Sequence, residues 1–215
     1  MTETKQSLSK QAYRIIEEMI VTLELAPGTL FTETDLAEQI GIGRTPVREA
    51  LKQMAIEQLV VSIPRRGIMV TEINITDQLL LLETRRTLDS LIARRAARRA
   101  TTAERVQLQA FAEALVQAVE AENLAEYIRI DYEFDGLMAD IARNPFAETA
   151  VTPLHAHSRR FWTAYKAYGD WSRVAELHVG VMQSVVDGDE EQASAAAETL
   201  VDYLDEFTRI VIEEI

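Results

Sequence analysis

Apolar residues recur at the three- and four-residue spacing of helices in three segments near the start of the chain. The first two segments span 8–25 and 33–40, and the third begins at 44, after a short turn closed by Gly41. Each segment carries one apolar stripe and therefore predicts an amphipathic helix. Three short helices with so tight a turn between the last two are typical of a helix-turn-helix.

Two β-prone runs follow these helices. They lie at 60–63 and 68–70, and the sequence PRRG at 64–67 joins them. Runs of β-branched residues around a short turn that contains glycine predict a hairpin, here with a basic tip. A hairpin placed after a helix-turn-helix makes a winged helix-turn-helix, and we assign this predicted DNA-binding domain to residues 1–72.

The third helix carries residues that suit contact with DNA. Thr45 fits the N-cap and Pro46 fits the first helical position, where a missing N–H costs nothing. Arg44 and Arg48 lie four residues apart, so they project from one side and can reach phosphates and guanine edges. A solvated surface helix with two arginines would show the same pattern. The neighbouring predicted helices and hairpin favour the interpretation that this helix binds DNA.

From about residue 74 the chain changes to a series of helices. Capping-box spacings begin at Thr101, Asn123 and Asp189. The predicted helices are 75–99, 102–121, 123–142, 145–167, 170–187 and 189–214. Pro153 would split the fourth, which gives six or seven helices. The predicted fold is therefore mainly α, with an all-helical antiparallel bundle over 73–215 after the winged head.

Ionisable residues interrupt the apolar stripes of this bundle. Asp131 and Asp135 lie four residues apart on the inward face of one helix, and Arg85 and His178 occupy inward positions on two others. Because a buried unpaired charge is costly, we expect these groups to converge on one another, on a metal or on a charged ligand. A salt-bridge network of Arg85 with Asp131 or Asp135 is the structural alternative to a ligand pocket.

Composition adds information on charge and compartment. The formal net charge of the 215 residues is −13, and cysteine is absent. Residues 1–72 hold eight Lys and Arg against ten Asp and Glu, so most of the acidity belongs to the bundle. The head is not strongly basic, and we expect DNA affinity to depend on dimeric binding and modest salt. With no signal peptide or membrane-length apolar run, we expect a cytoplasmic protein without membrane association.

Residues 25–70 resemble the DNA-binding domain of the GntR family of bacterial transcriptional regulators. The PG turn, the LA pair, the RTPVREAL helix and the RRG wing tip carry the resemblance in that order. Two positions depart from the pattern: Gly43 replaces a usual Ser or Thr, and Gln58 replaces a glycine and is expected to carry backbone strain. With Thr45 at the helix start, the implied DNA-contacting residues are Thr34, Arg44, Thr45, Arg48, Arg65, Arg66 and Gly67.

Residues 74–215 are similar to the FadR C-terminal domain, or FCD, the effector domain of one GntR subfamily. The segments ETRRTLD (83–89), DYEFD (131–135) and ELHVGVMQSVVDGD (176–189) carry the similarity. In many relatives an Asp, a His four residues later and two further histidines bind a divalent metal, and an arginine helps to hold a carboxylate effector. The resemblance therefore implies an effector site at Arg85, Asp131, Asp135 and His178.

Two of the four metal positions are changed in this chain. Asp131 and His178 match, whereas Asp135 and Leu200 stand where the family has histidines. Asp131, Asp135 and His178 could still form an oxygen-rich site that leans towards Mn²⁺ or Mg²⁺ and admits Zn²⁺ or Ni²⁺. Without a metal, two carboxylates at a pocket would favour a cationic or hydroxyl-rich effector. His155 and His157 could replace the lost imidazole, but surface or packing positions are expected for both.

We therefore expect a homodimeric regulator that binds double-stranded operator DNA and a small effector such as an organic or sugar acid. Repression relieved by the ligand is the expected polarity. The alternative is a metal-dependent helical-bundle enzyme with an appended DNA-binding segment. Because the candidate site lacks a clear second general base or nucleophile, no catalytic residue is assigned. A structural helical protein with a degenerate DNA-binding domain is a third interpretation.

Overall fold

The structure is a computed structural model that describes residues 7–215. Two compact units divide the chain, the first ending at Asn74 and the second spanning Ile75–Ile215. The first six residues of the domain predicted at 1–72 lie outside the described residues. Within the part of the chain that is described, no helix is both long enough and apolar enough to cross a membrane.

The first unit contains three helices and a three-stranded antiparallel sheet within its described residues. Its elements are α1 (Leu8–Val21), β1 (Leu30–Phe31), α2 (Glu33–Ile40), α3 (Arg44–Ile56), β2 (Val60–Ile63) and β3 (Gly67–Val70). The central strand is β3, because Met69 pairs with Leu30 of β1 on one side and with Val61 of β2 on the other. The two-residue β1 is too short to give a sequence pattern and was not predicted.

The turn between α2 and α3 is fixed by local chemistry. Thr32 caps α2 through its side chain, and Gly41 ends that helix in the left-handed conformation with φ 68°. The prediction that Thr45 caps α3 is wrong, since α3 begins at Arg44 and its N-cap is Gly43, without a side-chain hydrogen bond. Pro46 is tolerated at the third helical position because the first four N–H groups of a helix have no partner inside it.

The hairpin of β2 and β3 forms the predicted wing. Arg65 and Gly67 have φ values of 64° and 121° at its tip. A Cβ atom on Gly67 would lie 2.5 Å from the backbone oxygen of Phe31, so glycine is required there on steric grounds as well as by its φ. The expected strain at Gln58 is confirmed, because this residue follows α3 with φ 62°.

The second unit is an all-helical bundle. Its α-helices are α4 (Ile75–Arg99), α5 (Thr102–Glu120), α6 (Leu124–Ala142), α7 (Pro145–Tyr165), α8 (Trp171–Asp187) and α9 (Glu190–Glu214), with a 3₁₀ turn at Lys166–Tyr168. Pro153 lies inside α7 and does not split it, so six α-helices span Ile75–Ile215, not seven. The predicted capping box at Thr101 and Glu104 is present in full.

Helix α4 lies at the centre of the bundle and contacts α6, α7, α8 and α9. The apolar core around it is tightly closed, and its largest fully buried side chains are Leu82, Leu108, Leu115, Ile130, Ile141, Phe161 and Met182. Polar residues are buried in the same interior, among them Arg85, Asp131, His155, Arg159 and His178. A core that buries charges needs partners for them, and those partners define the candidate site.

The Gly67→Ala variant is expected to destabilise the first unit by about 1–3 kcal/mol, because the added methyl meets the Phe31 carbonyl at a φ that alanine rarely adopts. Hydrogen exchange at the β2 and β3 amides of the full chain measures the effect. Gly43→Ala is the control, since its methyl would lie 3.9 Å from Pro46 Cδ, and a change below about 1 kcal/mol is expected. Equal effects of the two substitutions would contradict the steric argument.

Candidate functional site

One face of the first unit carries cations around a groove of about 530 Å³. The groove is bordered by the N-terminal end of α2, by one face of α3 and by the wing. Its lining includes Glu33, Thr34, Arg44, Arg48, Lys52, Arg65 and Gly67. Thr45 and Arg66 are exposed at positions next to lining residues. The structure therefore brings five of the seven residues expected to contact DNA onto one groove, namely Thr34, Arg44, Arg48, Arg65 and Gly67.

Arg48 has a partner in this groove that the sequence analysis missed. Its Nε and Nη2 atoms donate to Oε2 of Glu33 at 2.8 and 2.7 Å. This hydrogen bond lowers the pKa of Glu33 and keeps the carboxylate ionised. Glu33 is the first residue of α2, where a negative charge is favoured by the helix dipole. Contact between Arg48 and DNA at this position requires exchange of the carboxylate for a DNA acceptor.

A second cluster lies inside the helical bundle. Cationic and anionic side chains alternate along one continuous path of contacts that joins four helices. We call this the charge network, and in order along the path its members are Arg85, Asp89, His155, Asp135, Arg159, Asp131 and His178. Arg85 and Asp89 belong to α4, the two later aspartates to α6, His155 and Arg159 to α7, and His178 to α8.

The first half of the charge network is centred on His155. Arg85 Nη2 lies 2.9 Å from Asp89 Oδ2. The imidazole Nε2 of His155 lies 2.8 Å from Asp89 Oδ1, and its Nδ1 lies 3.0 Å from Asp135 Oδ2. Because carboxylate oxygens only accept, both ring nitrogens of His155 must donate, and the ring is an imidazolium in this arrangement.

The second half is centred on Arg159. Its Nη1 donates to Asp135 Oδ2 at 2.6 Å and to Asp131 Oδ2 at 3.4 Å. His178 Nε2 lies 3.0 Å from Asp131 Oδ1, and its Nδ1 lies 2.8 Å from the carbonyl oxygen of Val174. Both atoms facing His178 are acceptors, so this histidine also donates from both nitrogens.

The pKa shifts in the charge network follow from these contacts. Burial favours the neutral form of each group, but the opposite charges outweigh it. Arg85 and His155 lower the pKa of Asp89 to about 2. Asp135 and Asp89 raise the pKa of His155 to about 9. The pKa of Asp131 is lowered by His178 and Arg159, and the pKa of His178 is raised in return by Asp131.

Two small cavities adjoin the charge network. The first, about 40 Å³, is lined by Arg85, Asp131, Arg159, Trp162 and His178 among others. The second, about 30 Å³, shares Arg85, Asp135 and His155 with the first and is otherwise mainly apolar. Volumes of this size admit a few solvent molecules or a small polar group.

Comparison with known proteins places both units in one family. The model of the bacterial regulatory proteins of the gntR family matches residues 8–70, and the FCD domain model matches residues 80–203. The FCD match alone covers more than half of the chain. The chain belongs to the GntR family. It combines the GntR DNA-binding domain with an FCD domain.

Individual relatives agree with this assignment. The HTH-type transcriptional repressor RspR of Escherichia coli K12 is 30% identical over 151 residues, which is 70% of this chain and 66%, slightly under two thirds, of that protein. The Nta operon transcriptional regulator of Aminobacter aminovorans is 26% identical over 82% of this chain and 83% of its own length.

The solved structure of E. coli McbR/YncC has the same fold, with a TM-score of 0.82, 18% identity and coverage of 97% of this chain and 99% of that one. The family and its named relatives are transcriptional regulators and not enzymes. The alternative of a metal-dependent enzyme is therefore set aside.

The structure brings together the four residues expected in the FCD effector site. Arg85, Asp131, Asp135 and His178 all line the first cavity. The structural alternative, a salt bridge from Arg85 to Asp131 or Asp135, is not formed among the described residues, and Arg85 instead contacts Asp89, one turn later on the same helix.

Two members of the charge network come from α7, and the sequence analysis did not assign them. His155 was expected at a surface or packing position, but it is 7% exposed and lies between two carboxylates. Arg159 was not considered. The signal was available, since His155, Arg159 and Trp162 share one helical face at spacings of four and three residues. This signal was overlooked because Pro153 was expected to split the helix.

The arrangement does not fit a divalent metal ion at Asp131, Asp135 and His178. The guanidinium of Arg159 already lies against both carboxylates, and His178 donates to Asp131 with the nitrogen that would bind a metal. A histidine must be deprotonated at the ligating nitrogen, whereas here that nitrogen carries a proton. Across residues 7–215 no group of three or more His, Asp and Glu is placed to hold a metal ion.

The charge network predicts a pH-dependent stability difference between the wild type and His155→Gln. The pKa of His155 rises from 6.5 in the unfolded chain to about 9 in the fold, so its contribution is complete below pH 6.5 and is lost as the pH rises through 9. The difference should be on the order of 3 kcal/mol at pH 6 and should shrink by pH 10, as measured by urea unfolding.

His157→Gln is the matched control, because His157 lies two residues away on α7 and is not part of the charge network. A difference between wild type and His155→Gln that stays constant from pH 6 to pH 10 would contradict the assignment of His155 as an imidazolium.

Proposed function

We propose that the protein is a homodimeric, ligand-responsive repressor that binds operator DNA through α3 and the wing. The observation that carries this proposal is the groove in the first unit, where Arg44, Arg48 and Arg65 line one concave surface. Phosphate contacts from such cations fix the position of a protein on the duplex, and base-edge contacts select the sequence. A twofold dimer would present two α3 helices to successive major grooves.

Residues of α2, α3 and the wing support binding of DNA at this groove. Arg44 and Thr45 form its first turn, where N–H groups and the helix dipole favour phosphate. Thr34 lies half-buried in the first turn of α2, close to the same groove. At the wing tip, Arg65 and Arg66 are exposed, and Gly67 lets the backbone make the turn that presents them. These residues are the proposed DNA contacts.

The bundle is the proposed effector domain. Arg85, Asp131, Asp135 and His178 surround a cavity whose polar groups are held at fixed positions by the charge network. A small metabolite such as an organic acid that contacts these groups differently in two bundle arrangements would change operator affinity by its preference for one of them. Release of the operator on binding is the proposed polarity.

Arg48→Ala is expected to weaken binding to the operator by ~1–3 kcal/mol, the range for a bidentate base contact. The operator is first selected from genomic fragments with the wild-type protein, and affinities are then measured by fluorescence anisotropy at fixed salt. Arg14→Ala is the control, because Arg14 is an exposed arginine of α1 that does not line the groove. Unchanged operator affinity of Arg48→Ala would remove Arg48 from the recognition surface.

Glu33→Gln is expected to bind random-sequence duplex DNA about threefold to tenfold more tightly than the wild type. The substitution removes a negative charge from the groove and frees Arg48 from its carboxylate partner. The ratio of operator affinity to random-duplex affinity should fall. The reason is that the Glu33 carboxylate no longer competes for Arg48 with the weak contacts that a random-sequence duplex makes. Weaker binding of both duplexes would instead show that Glu33 acts by holding Arg48 in its binding position.

A further inference from the structure

The positive charge of the first unit is concentrated in its groove. Four cations line the groove, Arg44, Arg48, Lys52 and Arg65, against one carboxylate, that of Glu33. The predicted DNA-binding domain as a whole holds eight Lys and Arg against ten Asp and Glu, so the protein around the groove is not basic. An excess of cations confined to one concave surface favours an anion at that surface.

The groove lies between two walls. One wall is the face of α3 on which Arg44, Arg48 and Lys52 follow one another at intervals of four residues. The other wall is the wing, and the buried side chains of Leu51 and Val60 close the groove between them. The eight residues from the first to the last of these cations span about 12 Å of helix. One strand of B-DNA carries a phosphate for about every 3.4 Å of helix axis, so the cationic wall matches several phosphates in a row.

Lys52 extends this wall beyond the contacts expected from the sequence, which end at Arg48 on α3. Its Nζ lies 2.9 Å from Oε1 of Glu49, and the two side chains are 63% and 54% exposed. An exposed ion pair of this kind contributes little to stability, so exchange of the carboxylate for another anion costs little. The charge of Lys52 also acts inside the groove, because it adds to the effect of Arg48 and Arg44 in lowering the pKa of Glu33.

The wing places a neutral donor on the opposite wall. Ser62 is exposed, lines the groove and interrupts the otherwise apolar strand VVSI of β2. Its hydroxyl makes no hydrogen bond to another protein group within residues 7–215. Hydroxyl and ammonium groups both bind phosphate oxygens, and neither contact depends on the base sequence. A strand between the two walls would therefore meet donors on both sides.

We propose that one phosphodiester strand of the duplex lies in the groove between α3 and the wing, and that Lys52 and Ser62 bind its phosphates from opposite walls. The inference rests on the proposed binding of operator DNA and adds two contacts that the family resemblance does not imply. On binding, Lys52 exchanges the carboxylate of Glu49 for a phosphate oxygen. These contacts set the affinity for any duplex and leave selection of the operator to other residues.

The first test measures affinity as a function of salt. Lys52→Gln in the full-length protein should weaken binding to the operator and to a random-sequence duplex by the same factor, about threefold to tenfold. The slope of log affinity against log salt should fall by about one unit per protomer, because one phosphate contact is lost. Lys52→Arg keeps the charge and should restore both the affinity and the slope. Fluorescence anisotropy over a series of KCl concentrations gives both quantities.

Two further variants separate the contact from a general effect of charge. Lys166→Gln removes the same charge from an exposed position in the second unit and should leave the affinity and the slope unchanged. Ser62→Ala removes a neutral donor, so it should weaken binding of both duplexes by about threefold without changing the slope.

The position of Lys52 can also be observed directly, because the chain has only four lysines. Reductive ¹³C-methylation labels their amino groups and keeps the charge. Lys52→Arg identifies the Lys52 signal in the ¹H–¹³C spectrum. A random-sequence duplex should shift this signal and leave the signal of Lys166 in place.

The proposal is overturned if Lys52→Gln leaves the salt slope unchanged, or if it weakens operator binding alone, since Lys52 would then contact a base. Arg48→Ala separates this outcome from a failure of the proposed function. If Arg48→Ala weakens operator binding while Lys52→Gln and Ser62→Ala match the wild type, DNA binding stands and the path of the strand is rejected. If the wild type binds no duplex at low salt, the proposed function and this inference both fail.

Discussion

Keeping a carboxylate ionised among packed helices requires a positive group within hydrogen-bonding distance, because the low-polarity interior otherwise favours its protonation or its exclusion. Asp89, Asp131 and Asp135 each meet this requirement with two cationic partners, and His155 and Arg159 each serve two of the three carboxylates. Removal of either His155 or Arg159 would leave two carboxylates with one cationic partner each instead of two. The positions of α4, α6, α7 and α8 relative to one another are therefore fixed by charge as well as by apolar packing.

This constraint explains which part of the site could be predicted from the sequence. Asp131, Asp135 and His178 interrupt clear apolar stripes, so their inward orientation follows from helical periodicity alone. Their partners could not be derived in the same way. Arg159 lies in the run HSRRFW, where both arginines are buried and periodicity does not show which of them reaches the carboxylates of α6. Its contacts depend on how α7 packs against α6. Which side chains pair between two helices is a tertiary property, and the pattern of a single sequence does not reveal it.

The first unit shows the same difference between features that follow from local sequence and contacts that depend on packing. The bounds of α2, the hairpin and the αL conformation of Gly41 follow from local signals, namely a Thr cap, β-branched runs and a terminal glycine. The start of α3 was misplaced by two residues because Thr45 and Pro46 resemble an N-cap and a first helical residue. Gly43 caps the helix with its backbone alone, which a pattern of side chains cannot reveal. The salt bridge between Glu33 and Arg48 joins α2 to α3. Like the contacts of Arg159, it depends on how two helices pack and could not be predicted from the sequence pattern.

The position of Arg159 also bears on how such a domain can change over evolutionary time. A histidine in place of Asp135, as the family pattern has it, would remove the better of the two acceptors for the guanidinium and set two cationic groups side by side. Conversely, loss of Arg159 alone would remove the cation that Asp131 and Asp135 share and leave each with one histidine partner. Each single exchange would change the charge balance of the interior, whereas paired substitutions on α6 and α7 would keep it. The residue types tolerated at Asp135 on α6 are thus coupled to the identity of residue 159 on α7.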